Sequence, residues 1–213
     1  SDVCSSDLCS LCNKRRATAA HILSNCYVAI IQKRYTWRHD NVLAMIHKDL
    51  VGIVNKTNST NKRINSKGPT LVFVKEGNKS TKVPKRSHSI LSKYGALDWR
   101  INFDFRNNAT IPSESKVDTL KRPDIVIYSI SKKVIIWFEE TIPLERNIVD
   151  AALRKNVRYL SLTADLKLND WSVHDFTFEI GALGSIAKTF NRMLNTLGLP
   201  SIQRKFVRKE LRK

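Results

Sequence analysis

Residues 122–143 read Arg-Pro-Asp-Ile-Val-Ile-Tyr-Ser-Ile-Ser-Lys-Lys-Val-Ile-Ile-Trp-Phe-Glu-Glu-Thr-Ile-Pro. Two β-branched runs, 125–130 and 133–138, flank a short polar turn at Ser131, the pattern of two strands joined by a hairpin. Residues 97–105 alternate as a third strand, so the three form a meander. Downstream, Pro143 opens a helix that runs to about Leu162, residues 172–180 form a further strand, and 184–197 form a last helix ended by Gly198 and Pro200. Upstream, a first helix begins near Thr18 or Ala19 and runs to about Lys33. Thr36 then caps a second helix, in which His39, Leu43, Ile46, Leu50 and Ile53 recur at spacings of 4, 3, 4 and 3, one buried face. The expected class is α/β, in the order helix, three-strand meander, helix, strand, helix.

The chain has 213 residues, 42% hydrophobic and 26% charged, with 7 Gly and 6 Pro, which describes one globular domain with a small appendage. Its longest apolar run, 134–138, is far short of the roughly 18–20 residues that span a bilayer, and no secretory pattern opens the chain. No membrane partner is expected. Lys and Arg exceed Asp and Glu by 37 to 19, a net charge of +18 that favours a polyanion, nucleic acid before a membrane surface. Thirteen of the eighteen surplus charges lie in two stretches: residues 55–90 carry +8 and residues 203–213 carry +5. The first, rich in Asn, Thr, Ser and Lys and containing Gly68-Pro69, reads as a basic loop around a short strand at 70–74. Either both stretches are solvated connectors or they follow a phosphate backbone without reading bases, with Lys62, Arg63, Lys85, Arg86, Arg204 and Lys205 as candidate contacts.

All four cysteines lie within the first 26 residues, which suits a metal site better than a set of disulfides. Residues 2–8 read DVCSSDL, resembling a translated sequencing-library adapter, so residues 1–8 are expected to be an artefact and Cys4 is set aside. There remains Cys9-x2-Cys12-x8-His21-x4-Cys26. Two cysteines on a tight turn hold one edge of a tetrahedron, and His21 and Cys26 close it. Three thiolates and one imidazole complete the coordination of zinc, so the site is expected to be structural rather than catalytic. Chance clustering of reduced thiols is the plain alternative. The expected organisation is a zinc knuckle and helix at 9–33, a main domain at 34–200 and a basic tail at 201–213.

Asp124 opens the second strand of the meander and Glu139 stands near the end of the third, with fourteen residues between them, so a hairpin brings the two carboxylates together. Paired acids at adjacent strand ends suit a hard cation such as Mg²⁺, which can polarise a phosphodiester and lower the pKa of a bound water. Alternation places Glu139 and Thr141 on one face and Glu140 on the other, making Glu139 the ligand and Glu140 the runner-up. On the following helix Lys155 shares a stripe with Ile148, Ala152 and Tyr159 that can lean over the strand ends. Taken singly, Asp124 is a turn acid, Glu139 an edge charge and Lys155 a solvated cation.

The element order resembles the core of the restriction-like PD-(D/E)xK nucleases, with Thr141 standing where that motif has its lysine. The resemblance narrows when Cys9-x2-Cys12…His21-Ile22-Leu23-Ser24-Asn25-Cys26, Tyr35-Thr36-Trp37-Arg38-His39-Asp40, Arg122-Pro123-Asp124-Ile125-Val126 and Glu139-Glu140-Thr141-Ile142-Pro143 are taken together. From Cys9 to about Leu199 the chain is similar to the C-terminal end of reverse transcriptases from non-long-terminal-repeat retrotransposons that carry a restriction-like endonuclease. That resemblance implies a zinc knuckle, a basic-His-acidic triplet containing His39 and Asp40, metal ligands Asp124 and Glu139, and a catalytic lysine moved to Lys155, with Tyr159 beside it. His39, on the stripe with Leu43 and Ile46, is otherwise a satisfied core histidine, and a supporting role suits it better than direct catalysis. The resemblance implies an Mg²⁺-dependent endodeoxyribonuclease, with a structural zinc, that nicks target DNA in the nucleus to prime reverse transcription. Its partners would be DNA and the element's own RNA, and the polymerase part would be absent from this stretch. A catalytically inactive nucleic-acid-binding remnant of such an element is the alternative.

Overall fold

A computed structural model describes residues 7–66, 89–105 and 110–199, except for the side chains of 63–66. The two apolar runs form β2 (Ile125–Ser129) and β3 (Val134–Thr141), paired antiparallel from Ile125 opposite Phe138 to Ser129 opposite Val134. The shorter β1 (Arg100–Phe103) pairs antiparallel with β2. β4 (Ser172–Glu179) adds parallel to β3, giving a four-stranded sheet in the order β1-β2-β3-β4. All of β2 and all but the last residue of β3 are buried. Helices cover both faces, which is why these strands read as unbroken apolar runs rather than an alternation.

On one face lie α2 (Arg34–Ser66), the short α3 (Ile90–Tyr94) and α5 (Lys188–Thr196). Val42, Leu43, Ile46, Leu50 and Phe190 pack there against Ile125, Ile127, Ile136, Phe138 and Phe178. On the other face α4 (Ile148–Leu168), the crossover between the parallel strands, sets Tyr159, Leu162 and Leu166 against Val126, Tyr128, Ile135 and Trp137. Each such side chain contributes about 1.5–3 kcal/mol by leaving water. The anticipated order of elements is present, with α3 added ahead of β1. Among the described residues no helix is long and apolar enough to cross a membrane.

Several boundaries differ from the sequence reading. The basic loop expected from residue 55 is helical as far as Ser66, because α2 continues without a break for 33 residues. The buried stripe of Leu43, Ile46, Leu50 and Val54 carries on at the same spacing as Thr57 and Asn61, both buried although polar. Their neighbourhood uses that polarity: Asn61 Nδ2 donates to Ala96 O (2.8 Å), Asn58 Nδ2 donates to Trp99 O (2.9 Å), and Trp99 N donates to Asn58 Oδ1 (3.0 Å). A loop-like composition therefore serves as a helix face that docks the segment leading into β1. α2 begins at Arg34, ahead of the expected cap at Thr36.

The first helix is not continuous either. A π-helical turn at His21–Asn25 stops at Cys26, whose backbone is extended (φ −75°, ψ 116°), before α1 (Tyr27–Ile31). Pro143 does not open α4. A single 3₁₀ turn, Glu145–Asn147, intervenes, and α4 runs on to Leu168. Gly184, at φ 89°, belongs to the turn before α5 rather than to that helix. The strand expected at 70–74, Cys4, Lys85, Arg86, Arg204, Lys205 and the basic tail lie outside the described residues.

Candidate metal cluster and acidic edge

The N-terminal segment turns back on itself through Asn13, in the left-handed region at φ 50°. Cys9 N donates to Arg15 O (2.7 Å) and Asn13 N to Cys9 O (2.8 Å), while Leu8 bridges to Arg16. This turn presents Cys9 and Cys12 to His21 and Cys26, whose ligand atoms all lie within 4.8 Å of one another. Cys9 Sγ and Cys26 Sγ are 3.9 Å apart, and Cys12 Sγ is 3.2 Å from His21 Nε2. Zinc bound tetrahedrally at about 2.3 Å from sulfur and 2.0 Å from nitrogen needs edges of roughly 3.8 and 3.5 Å. The cluster could bind a zinc ion. Backbone N–H bonds from Lys14 and then Arg15, with the His21 ring and Cys9, hold the Cys12 thiol down to about 6 against the opposing effect of burial. The extended backbone at Cys26 turns its thiol inward, and Thr18 Oγ1 accepts from His21 N (3.2 Å) at the start of the turn that carries the histidine.

The first turns of α2 clamp this cluster from outside. Tyr35 Oη accepts from Cys26 N (3.1 Å) and donates to Ile22 O (2.9 Å), and Arg38 Nη2 donates to Leu23 O (2.9 Å). Sequence reasoning quoted both residues but assigned neither a contact. Nothing in their spacing points to carbonyls 13 and 15 positions earlier.

One helical step beyond Arg38, the same helix reaches the end of the β2–β3 hairpin. His39 Nε2 lies 3.3 Å from Asp124 Oδ2, and its Nδ1 lies 3.3 Å from Asp40 Oδ1. Asp124 Oδ2 also accepts from Glu140 N (2.6 Å), and Asp124 N donates to Glu139 Oε2 (3.3 Å). From the opposite face Lys155 Nζ donates to Glu139 Oε1. Tyr159 is buried beneath it, its ring 5.0 Å from that of Trp137 and its hydroxyl donating to Arg122 O (3.0 Å). Asp124, Glu139, Lys155, His39, Asp40 and Tyr159, drawn from α2, β3, α4 and the residue just before β2, thus meet at one edge of the sheet.

Strand alternation separates the two glutamates as their positions require. Glu139 shares the α4 face with Ile135 and Trp137, and Glu140 the α2 face with Ile136 and Phe138. Glu140 is fully buried and neither carboxylate oxygen has a hydrogen-bond partner among the described residues. Burial pushes its carboxyl well above the usual range, with the His39 charge opposing. Burial and then the Asp124 charge push the Glu139 carboxyl up, against the pull of Lys155. Burial alone would lower His39, but its bond to Asp124 and the charges of Asp124 and Glu140 raise it to about 9. Burial, followed by the charge of Glu139, raises Tyr159.

Of the candidate nucleic-acid contacts, Lys62 is exposed near the far end of α2, 23 residues beyond His39 and therefore about 35 Å along the helix axis. The side chain of Arg63 lies outside the described atoms. No protein-family model matches the chain, and no curated protein is significantly similar to it.

Proposed function

We propose that the chain is a metal-dependent DNA endonuclease domain of the restriction-like type, one that nicks target DNA for a retrotransposon's reverse transcription in the nucleus. The observation that carries this reading is the convergence of Asp124, Glu139 and Lys155 from three separate parts of the chain onto one edge of the sheet, with Lys155 on Glu139 and His39 on Asp124. The donor set suits magnesium: two carboxylates, one of them with an oxygen that no described residue bonds, at the end of a rigid hairpin. Asp124 and Glu139 would hold the ion. When bound, it supplies positive charge to the phosphodiester and acidity to a coordinated water.

The chain's own residues do the rest. β2 and β3 fix the two carboxylates relative to one another through the Asp124 N–H to Glu139 bond and the Glu140 N–H to Asp124 bond. Lys155, drawn from Glu139 toward the phosphate, neutralises charge at the scissile group or orients the attacking water. Tyr159, locked to the Arg122 carbonyl, supports the turn of α4 from which Lys155 projects. His39, held between Asp40 and Asp124, keeps the Asp124 carboxylate aimed. Hydrolysis of this kind breaks the P–O3′ bond and leaves a 3′ hydroxyl and a 5′ phosphate. α2 carries Lys62 about 35 Å from His39, close to ten base pairs of duplex at 3.4 Å each, so its far end would contact the backbone one helical turn from the cut. The zinc cluster and the +8 and +5 stretches add sequence-independent grip on DNA and on element RNA.

Nicking of supercoiled plasmid in Mg²⁺ tests the reading. Asp124→Asn, Glu139→Gln and Lys155→Ala are each expected to lower cleavage by on the order of a hundredfold or more, with DNA affinity in Ca²⁺ unchanged. A parent chain that binds DNA but never cuts it would favour the non-catalytic remnant instead.

A further inference from the structure

α4 is apolar on two sides. Its inner face, with Ala151, Tyr159, Leu162 and Leu166, is buried against the sheet. Diametrically opposite, Val149, Leu153, Val157, Leu160, Ala164 and Leu168 follow one another at spacings of 4, 4, 3, 4 and 4. All six are exposed, the five larger ones at 70%, 57%, 67%, 65% and 82% in that order. No charged residue interrupts the stripe from Leu153 to Ala164, and Asp150 and Lys167 stand at its two ends, which lie about 28 Å apart along the helix. Scattered exposed aliphatics are ordinary, but a contiguous row of this length marks a surface that is covered by something.

We propose that this face pairs antiparallel with the same face of a second copy of the chain. The stripe is complementary to itself in that arrangement. A two-fold axis lying in the interface, level with the midpoint between Arg158 and Tyr159, sets Val149 level with Leu168, Leu153 with Ala164 and Val157 with Leu160. Leu153, Val157, Leu160 and Ala164 then meet apolar partners, and the one small residue, Ala164, lies where Leu153 of the other copy needs room. A parallel pairing would instead align each residue with itself, stacking Leu on Leu and leaving a gap at Ala164.

The charges agree with the same symmetry. Arg154 and Asp165 are eleven residues apart, close to three full turns, and so lie on one flank of the stripe. Both are exposed, and neither has an ion-pair partner among the described residues. A two-fold axis lying in the interface brings each flank against its own copy, so Arg154 of either chain falls within reach of Asp165 of the other, twice per dimer. Lys155 lies on the inner side of α4, so the acidic edge stays open in the pair. One helix pair is at the small end of interface sizes, and a dissociation constant in the micromolar range is expected.

Sedimentation equilibrium of the 213-residue chain without DNA tests this independently of any nuclease activity. The parent should pass from monomer to dimer across the micromolar range. Val157→Glu and Leu160→Lys should each weaken the dimer at least tenfold, with circular dichroism and zinc content unchanged because both side chains point to water. The double variant should recover dimer, since Glu at 157 then meets Lys at 160 of the other copy. A parent that stays monomeric to several hundred micromolar, single variants that dimerise as the parent does, or a double variant no better than the singles would each overturn the proposal.

Discussion

The two ends of the β2–β3 hairpin treat acids in opposite ways. At the turn, the partly exposed Asp98 accepts from Ser129 Oγ (2.6 Å), Ser131 Oγ (2.6 Å) and Ser131 N (2.9 Å). Burial would raise this carboxyl, yet the bonds from Ser129 and Ser131 outweigh it and bring it down to about 2. At the open end, Asp124, Glu139 and Glu140 crowd together with fewer donors than oxygens, and both glutamates are pushed up. An acid that fastens a turn is surrounded by N–H and O–H groups. Acids gathered without enough donors cost stability, and the chain's own cations, His39 on Asp124 and Lys155 on Glu139, offset part of that cost.

Reciprocal substitution is the strongest way to break this contrast. Glu139→Gln is expected to reduce nicking at least a hundredfold while stability stays within about 1 kcal/mol of the parent, because the amide keeps the shape and the loss of one acceptor oxygen is offset by relief of the charge crowded against Asp124. Asp98→Asn is expected to do the reverse, leaving nicking within about twofold and lowering the melting temperature. Plasmid nicking and thermal unfolding on the same two proteins decide it. If Asp98→Asn also abolished cleavage, the turn end would not be merely structural.

Glu140 sharpens the contrast further, since it is the acid with the fewest partners. Replacing a buried, unpaired carboxylate by an apolar group of similar length commonly stabilises a fold, here by about 1–4 kcal/mol. Glu140→Leu should therefore raise the midpoint of chemical unfolding at neutral pH. A lower midpoint would mean that Glu140 has a partner that its surroundings do not reveal.

How far the sequence discloses these arrangements depends on which residues occupy the core positions. The hairpin was legible because Ile125, Val126, Ile127 and then Val134 to Phe138 are apolar without exception. The face assignments of Glu139 and Glu140 followed from a period of two. The metal cluster was legible because its four ligands lie within 18 residues and their spacing alone limits the geometry. The second half of α2 was not, because the polar Thr57 and Asn61 occupy buried positions that an apolar pattern does not mark, and the carbonyl that Asn61 bonds belongs to Ala96, thirty-five positions away. The Tyr35 and Arg38 clamp was hidden for the same reason: a side chain that bonds a distant backbone carbonyl leaves no periodic trace. Asp98 went unnoticed because an acid before a strand is ordinary until Ser129 and Ser131 fold back upon it.

Asn58 offers a measure of this hidden polar docking. It exchanges two hydrogen bonds with the backbone of Trp99, the residue that leads into β1. Asn58→Ala leaves that N–H and C=O without partners and should destabilise the chain by about 2 kcal/mol in urea unfolding. Ser59→Ala, one turn-step away on the exposed side, serves as the control and should change stability by less than about 0.5 kcal/mol. Equal effects at the two positions would mean that this end of α2 does not dock.

The smallest expected effect is also the one whose direction is most sharply set. Asp98 has a folded-state pKa of about 2 against an ordinary value of 3.8, so its contribution is fully present above pH 3.8 and is lost as pH falls toward 2. The reason is that the native turn offers its donors to the ionised form, and protonation leaves Ser131 N and the two hydroxyls facing a group that accepts them less well. Because the carboxyl is partly exposed, water screens the interaction, and the contribution should be no more than about 1 kcal/mol. The measurement is the difference in unfolding free energy between the parent and Asp98→Asn at successive pH values. That difference should be constant from pH 7 to about 4.5 and should shrink steadily between pH 4 and 2, where the aspartate becomes neutral like its replacement. Glu140→Leu against the parent should behave in the opposite sense: its advantage arises from a carboxylate that resists ionisation, so it diminishes in acid, where the native glutamic acid is already uncharged. A parent-minus-Asp98→Asn difference that grew on acidification would show that the turn prefers the protonated acid, and the two ends of the hairpin would then be alike.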